Sequence, residues 1–214
     1  GTHFLLSEDP FAIGFKSAAV NLSDLAAMGA TPKYALLAIT LPFSDEVWIE
    51  GFSKGLYSLL NQYDVTLVGG DTTRGDVLSI TLTAIGFVGS GTALRRDHAI
   101  LDDDVWVSGS IGLGAVGLLV QEGVVKFSNE DERDFLRQLR KPAPRIELGQ
   151  NLVGIANAAI DISDGLVADA GHVADKSGVQ IVIDFETIPT HPALNSSRRE
   201  LKIKNSILEG GDDY

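Results

Sequence analysis

The sequence predicts an α/β (α+β) protein built in two halves. Three observations carry that prediction. Stretches with helical spacing of apolar residues interleave with short alternating or apolar runs bounded by Gly and Pro. A polar, turn-rich stretch, "GTALRRDHAILDDD" (residues 91–104), interrupts the pattern near the middle. Apolar residues make up 44% and charged residues 21% of the 214 positions, an ordinary globular composition.

The elements follow in order. Asp9 then Pro10 reads as a capping acid followed by proline at the first helical position. The helical pattern runs from Pro10 to Met28, and Gly29 ends it. "YALLAITL" (residues 34–41), set between prolines, reads as a buried strand. Ser44 and Asp45 open a second helix that runs to about Gln62. "VTLVGG" is a strand running into glycines, and "VLSITLTAIGFV" (residues 77–88) is a long strand with threonines on alternate positions. After the polar stretch, which sets a boundary between 1–95 and 96–214, come a strand ("VWVSG"), a glycine-rich helix and the charged helix "NEDERDFLRQLRK". The proline-broken "KPAPR" leads to a helix through about Asn157, then the "DISDG" corner, a helix through Lys176 and a strand, "VQIVIDF".

Composition excludes several functions. With no cysteine there is no disulfide, thiolate metal site or cysteine nucleophile in this sequence, which fits a reducing, cytoplasmic setting. A formal net charge of −12 argues against nucleic acid and anionic membrane as partners. It does not argue against a phosphorylated ligand bridged by divalent cations. Apolar runs are too short for a membrane span, and no secretory leader opens the sequence. The chain starts in mid-pattern and stops at "GGDDY", as a portion of a longer protein would.

Four places could carry chemistry. In "VGGDTTRG" (residues 68–75) two glycines permit close backbone approach, Asp71 offers oxygen to a hard cation, and hydroxyls and Arg74 suit phosphate. A decorated β-turn has the same residues. Asn21 and Asp24 share a helix face, as ligands or as a solvated surface. "AIDISDGL" ends an apolar element in Asp161, Ser163 and Asp164; Ser163 capping a helix near Asp164 accounts for two of them and leaves Asp161 unexplained. "GLGAVG" matches a dinucleotide fingerprint but lacks an acid at the end of a second strand, so it reads as a close-packed helix start that could touch phosphate. The histidines show no metal-ligand spacing.

Taken in order, "NLSDLAAMGA", "GGDTTRG", "AIDISDGL" and "GGDDY" resemble the thiamine-monophosphate kinase family, over nearly the whole chain. The helix motif is shared more loosely across a superfamily that includes aminoimidazole ribonucleotide synthetase. "GGDTTRG" is the discriminating piece. The resemblance implies a two-domain aminoimidazole ribonucleotide synthetase-like fold with mixed sheets flanked by helices. It implies ATP-dependent conversion of thiamine monophosphate to thiamine diphosphate, and a homodimer formed through the first domain, which also binds ATP and magnesium. By matching position, Asp24, Asp71, Asp161 and Asp164 are implied Mg²⁺ ligands, with Asp71, Asp161 and Asp164 catalytic. Gly70, Asp71, Arg96 and Ser163 are implied ATP contacts, and His3 and Asp212 lie on the substrate side. Asp212 stands where the family usually has glutamate, and Leu113 where it usually has an acid. The alternatives are another ATP-using enzyme of the superfamily, of cyclo-ligase or dehydratase type, and a non-catalytic nucleotide-binding module.

Overall fold

A computed structural model describes residues 3–5 and 7–214. The elements run α1 (Pro10–Ala27), β1 (Thr31–Leu41), α2 (Glu46–Gln62), β2 (Thr66–Arg74), β3 (Ser79–Phe87), α3 (Leu113–Gln121), α4 (Asn129–Arg140), α5 (Ile146–Leu152), α6 (Leu166–Ser177) and α7 (Leu201–Leu208). They form two compact units. One holds the residues up to Ala93 together with Pro144–Gln150; the other holds Leu94–Ala143 and Asn151–Tyr214.

The first unit is a three-stranded sheet of order β2-β1-β3 carrying α1 and α2 on one face. β1 pairs parallel with β2 and antiparallel with β3, so the sheet is mixed. Both helices begin on an aspartate cap: Asp9 accepts from the Phe11 amide, and Asp45 from those of Val47 and Trp48. The helices pack backbone against backbone. A Cβ on Gly14 would lie 2.0 Å from the Phe52 carbonyl oxygen, and one on Gly55 would lie 1.9 Å from that of Phe11. Ile13, Leu22, Phe52, Leu56 and Leu60 then close over Ala35 and Ile39 of the sheet. The start of α5 joins this unit. Ile146 enters its core, Gly149 seats on the Ala26 carbonyl, and the Tyr63 hydroxyl donates to the Pro144 carbonyl oxygen at 3.0 Å.

The second unit packs its helices around Ile111, Val116, Phe135, Leu166, Leu194, Ile203 and Ile207. Gly117 lets α3 rest on the Phe135 carbonyl of α4. The Arg198 guanidinium donates to the carbonyls of Phe185 and Ile188 and to Thr190, and so ties the link before α7 together.

Several expectations change. "VTLVGG" does not stop at its glycines: β2 continues through Arg74, because β1 offers it ladder partners as far as Leu41. Neither "VWVSG" nor "VQIVIDF" is paired into a ladder among the described residues. Residues 179–185 nevertheless alternate between half-buried and exposed, the period of a strand packed on one side. The helix expected through Asn157 ends at Leu152, two residues before Gly154 at φ 79°. α7 was not foreseen.

Candidate functional site

In the first unit the candidate residues sit on regular elements. Asp24 is exposed on the last turn of α1. Asn21, on the same face, donates its amide back to the Ser17 carbonyl at 2.9 Å. Along β2 the register shifts by one residue between Ala35 and Leu36 of β1, which leaves Val68 as the extra residue. Gly69, Gly70 and Asp71 then pair with Leu36, Leu37 and Ala38. Gly70 has φ 148°, and a Cβ there would lie 1.8 Å from the Leu37 carbonyl oxygen, so this position admits only glycine. The stretch expected as a turn at a strand end is therefore a bulged edge strand, and Asp71 is exposed on it. His3 is exposed beside Phe4, which packs on this unit's core.

In the second unit the candidates sit on an irregular corner. Ser163 does not cap a helix at Asp164: α6 starts at Leu166, and its N-cap is Gly165 at φ 130°, a conformation that breaks the helix before Asp164. The unpaired amides of this corner go instead to Asp169. That carboxylate, 3% exposed, reaches back from the first turn of α6, and one oxygen accepts from Ser163, Asp164 and Gly165 at 2.9, 3.0 and 3.1 Å. The corner backbone is thereby fixed while the Asp164 side chain stays exposed and Asp161 half-buried. Potential ligand atoms of Asp164, Asp169 and exposed His172 come within 4.8 Å of one another. Arg96 is also exposed, and its carbonyl accepts from the Ser177 hydroxyl at 3.2 Å.

"GGDDY" packs on the same corner. The Asp212 amide donates to the Ser163 carbonyl at 3.2 Å, and Gly211 lies against that same carbonyl. Asp213, 7% exposed, accepts from the amides of Gly112 and Gly114 at the start of α3. Its burial raises the carboxyl to about 6, against the lowering effect of those amides. The helix start in "GLGAVG" is thus filled by an internal carboxylate, and the phosphate contact considered for it does not apply.

The sequence reading missed Asp169 and Asp213. Each is an ordinary acid until the fold shows that it collects backbone amides. Carboxylate oxygen suits a hard cation; Asp24 and Asp71 offer it in the first unit and Asp161 and Asp164 in the second, so the acids of each unit are of the type magnesium takes.

Comparison with known proteins gives the class first. Residues 1–88 match the model for "AIR synthase related protein, N-terminal domain", and residues 101–206 that for the corresponding C-terminal domain. Within that class the chain belongs to the thiamine-monophosphate kinase family. It is 45% identical to thiamine-monophosphate kinase of Salmonella typhimurium, over 100% of this chain and 66% of that protein. It is 37% identical to the Aquifex aeolicus enzyme, over 100% of this chain and 70% of that protein. The crystal structure of thiamine-monophosphate kinase from Stenotrophomonas maltophilia superposes with a TM-score of 0.93 at 46% identity, covering 100% of this chain and 69% of that one. AaThiL complexed with AMPPCP and TMP superposes with a TM-score of 0.90 at 35% identity, over 99% and 69%. The hydrogenase maturation protein HypE, at 20% identity and a TM-score of 0.77, shares the fold. The chain thus spans about two thirds of the length of these kinases. No described helix is long and apolar enough to cross a membrane.

Proposed function

We propose that this chain carries the nucleotide- and metal-handling part of an ATP-dependent kinase that converts thiamine monophosphate to thiamine diphosphate. The observation that carries the reading is the whole-chain likeness to AaThiL complexed with AMPPCP and TMP. The chemistry agrees with the residues. A phosphate-monoester acceptor has a second pKa of ~6, so it is ionised near neutrality and needs no strong general base. The obstacle is bringing two polyanions together, which calls for positioning and charge neutralisation.

Asp24, Asp71, Asp161 and Asp164 would hold magnesium; when bound, magnesium offsets the charge of the phosphates. Gly70, where no side chain intervenes, together with Asp71, Arg96 and Ser163, would contact ATP. His3 and Asp212 would face thiamine monophosphate. In this reading residues 1–95, which Pro144–Gln150 joins in one compact unit, form the ATP- and magnesium-binding and dimerisation domain, and the rest of 96–214 the second α/β domain. The homodimer is supported by the sheet face turned away from α1 and α2. It exposes Tyr34, Leu36, Ile85 and Phe87, with Tyr34 and Phe87 edge to face at 6.3 Å. The setting is the cytoplasm, which supplies ATP; neither nucleic acid nor a membrane is a partner.

The test is to incubate the full-length protein with ATP, magnesium and thiamine monophosphate. Thiamine diphosphate and ADP should form in equal amounts. ADP with free phosphate and no thiamine diphosphate would favour a cyclo-ligase or dehydratase, and ATP binding without turnover a non-catalytic module.

A further inference from the structure

Asp212 is held in a left-handed conformation, one that Asp enters more readily than most side chains but that its surroundings here require. Its φ of 67° lies in the left-handed region, which a non-glycine residue enters at a cost. The surroundings impose it. On one side the Asp212 amide is tied to the Ser163 carbonyl, and Gly211 admits that carbonyl where a Cβ would lie 2.2 Å from its oxygen. On the other side Gly114 lets α3 approach so closely that a Cβ would lie 2.4 Å from the Asp212 carbonyl oxygen. Asp213 joins the two sides. Its buried carboxylate spans the amides of Gly112 and Gly114 with one oxygen each, and these amides offset part of the cost of burying it.

We infer that Asp213 is a positioning residue: by clamping "GGDDY" onto the start of α3, it sets the backbone of Asp212 and thereby aims that carboxylate at the substrate. This rests on the thiamine-monophosphate kinase reading and on Asp212 facing the substrate. Leu113, between the two clamped amides, brings no charge to compete with Asp213 for them.

The test uses the full-length protein and steady-state kinetics in each substrate. Asp213→Asn replaces one acceptor oxygen by an amide donor, so one of the two α3 amides loses its partner. KM for thiamine monophosphate should rise about 10–100-fold, the worth of a charge-assisted hydrogen bond, while KM for ATP stays within about twofold of wild type. Asp212→Asn keeps the backbone, because Asn tolerates φ > 0, and should raise the same KM. The double variant should be no worse than Asp212→Asn alone, since the clamp then has nothing to aim. Asp213→Glu keeps the carboxylate but lengthens the tether by one methylene. It should raise KM for thiamine monophosphate with a melting temperature near that of wild type, and it serves if the Asn variant does not fold.

An unchanged KM with a lowered melting temperature would overturn the inference and leave Asp213 a structural cap. Additive effects in the double variant, or a wild-type KM in Asp212→Asn, would also overturn it. An active wild type with any of those outcomes removes the inference alone, whereas a wild type that makes no thiamine diphosphate removes the kinase reading and the inference with it.

Discussion

The acids of the first unit and those of the second are displayed by opposite means. Asp24 and Asp71 stand on a helix and a strand whose own backbone hydrogen bonds fix them. Asp161 and Asp164 stand on a corner outside the described helices and strands, and Asp212 on a turn beside it. There the fixing is done by side chains: Asp169 holds three amides of the corner, and Asp213 holds two at the start of α3. A site residue on a regular element depends on its own chemistry and little on any single neighbour. A residue on an irregular corner depends on a second, buried residue that collects the corner's backbone amides.

That contrast can be broken by substitution. The largest effect is expected on the first unit's strand. On the proposed kinase reading, Asp71→Asn in the full-length protein should lower turnover about 10²–10³-fold, the scale of losing one preorganised electrostatic contact. Because Asp71 is exposed and the β2 ladder does not use its side chain, the melting temperature should not move. Activity and thermal melts on one preparation check both halves.

Asp169→Asn should behave differently, losing stability as well as rate. Asn keeps one acceptor but no charge, and three amides share it. A hydrogen bond to a charged group contributes about 1.5–3 kcal/mol, so denaturant unfolding should show a loss of that order together with reduced turnover. Full stability in this variant would remove the corner's dependence on Asp169.

Asp213 gives a smaller, pH-dependent signature. Burial raises its carboxyl from 3.8 to about 6 in the folded protein. A raised carboxyl pKa means that the folded state holds the proton more tightly than the unfolded one. Its contribution to stability is therefore fully present below about pH 4 and lost as pH rises through about 6. Asp213→Asn cannot titrate, so its melting temperature should improve relative to wild type between pH 4 and 7. A constant difference across that range would contradict the buried titration.

The smallest effect belongs to Asp97. The Arg95 guanidinium holds its carboxyl down to about 2 through a two-pronged contact at 2.8 and 2.6 Å. A lowered pKa contributes stability above about pH 4, lost as pH falls through about 2. Solvent and salt screen this exposed pair. Asp97→Asn should leave the melting temperature at neutral pH unchanged, and a measurable drop would show that the pair is more than a surface contact.

The same contrast separates what was legible in the sequence from what was not. α1 and α2 could be read because Asp9, Pro10 and Asp45 mark their starts and Gly29 follows the first. The "GGDTTRG" and "DISDGL" acids stood out because like charges beside glycine or an apolar run call for a reason. Their setting was hidden. The glycines of β2 looked like a turn because the bulge that accommodates them depends on β1, far away in sequence. Ser163 looked like a cap because local spacing cannot show that Gly165 takes φ 130° and that Asp169 reaches back for the amides. Asp213 could not be singled out, since its partners Gly112 and Gly114 lie about a hundred residues earlier. "VQIVIDF" kept the alternation of a strand, but alternation reports a half-buried face and a ladder also needs a neighbour.

The central claim is that Asp161 and Asp164 of the "DISDGL" corner carry metal-bound nucleotide, while Asp169 carries the backbone. Turnover of the full-length enzyme against magnesium concentration, for Asp161→Asn and Asp164→Asn with thermal melts alongside, tests it most directly. Each variant should lose turnover about 10²–10³-fold, need more magnesium to reach half its maximal rate, and melt where wild type does. Wild-type rates in both variants, at wild-type magnesium requirement, would contradict the account.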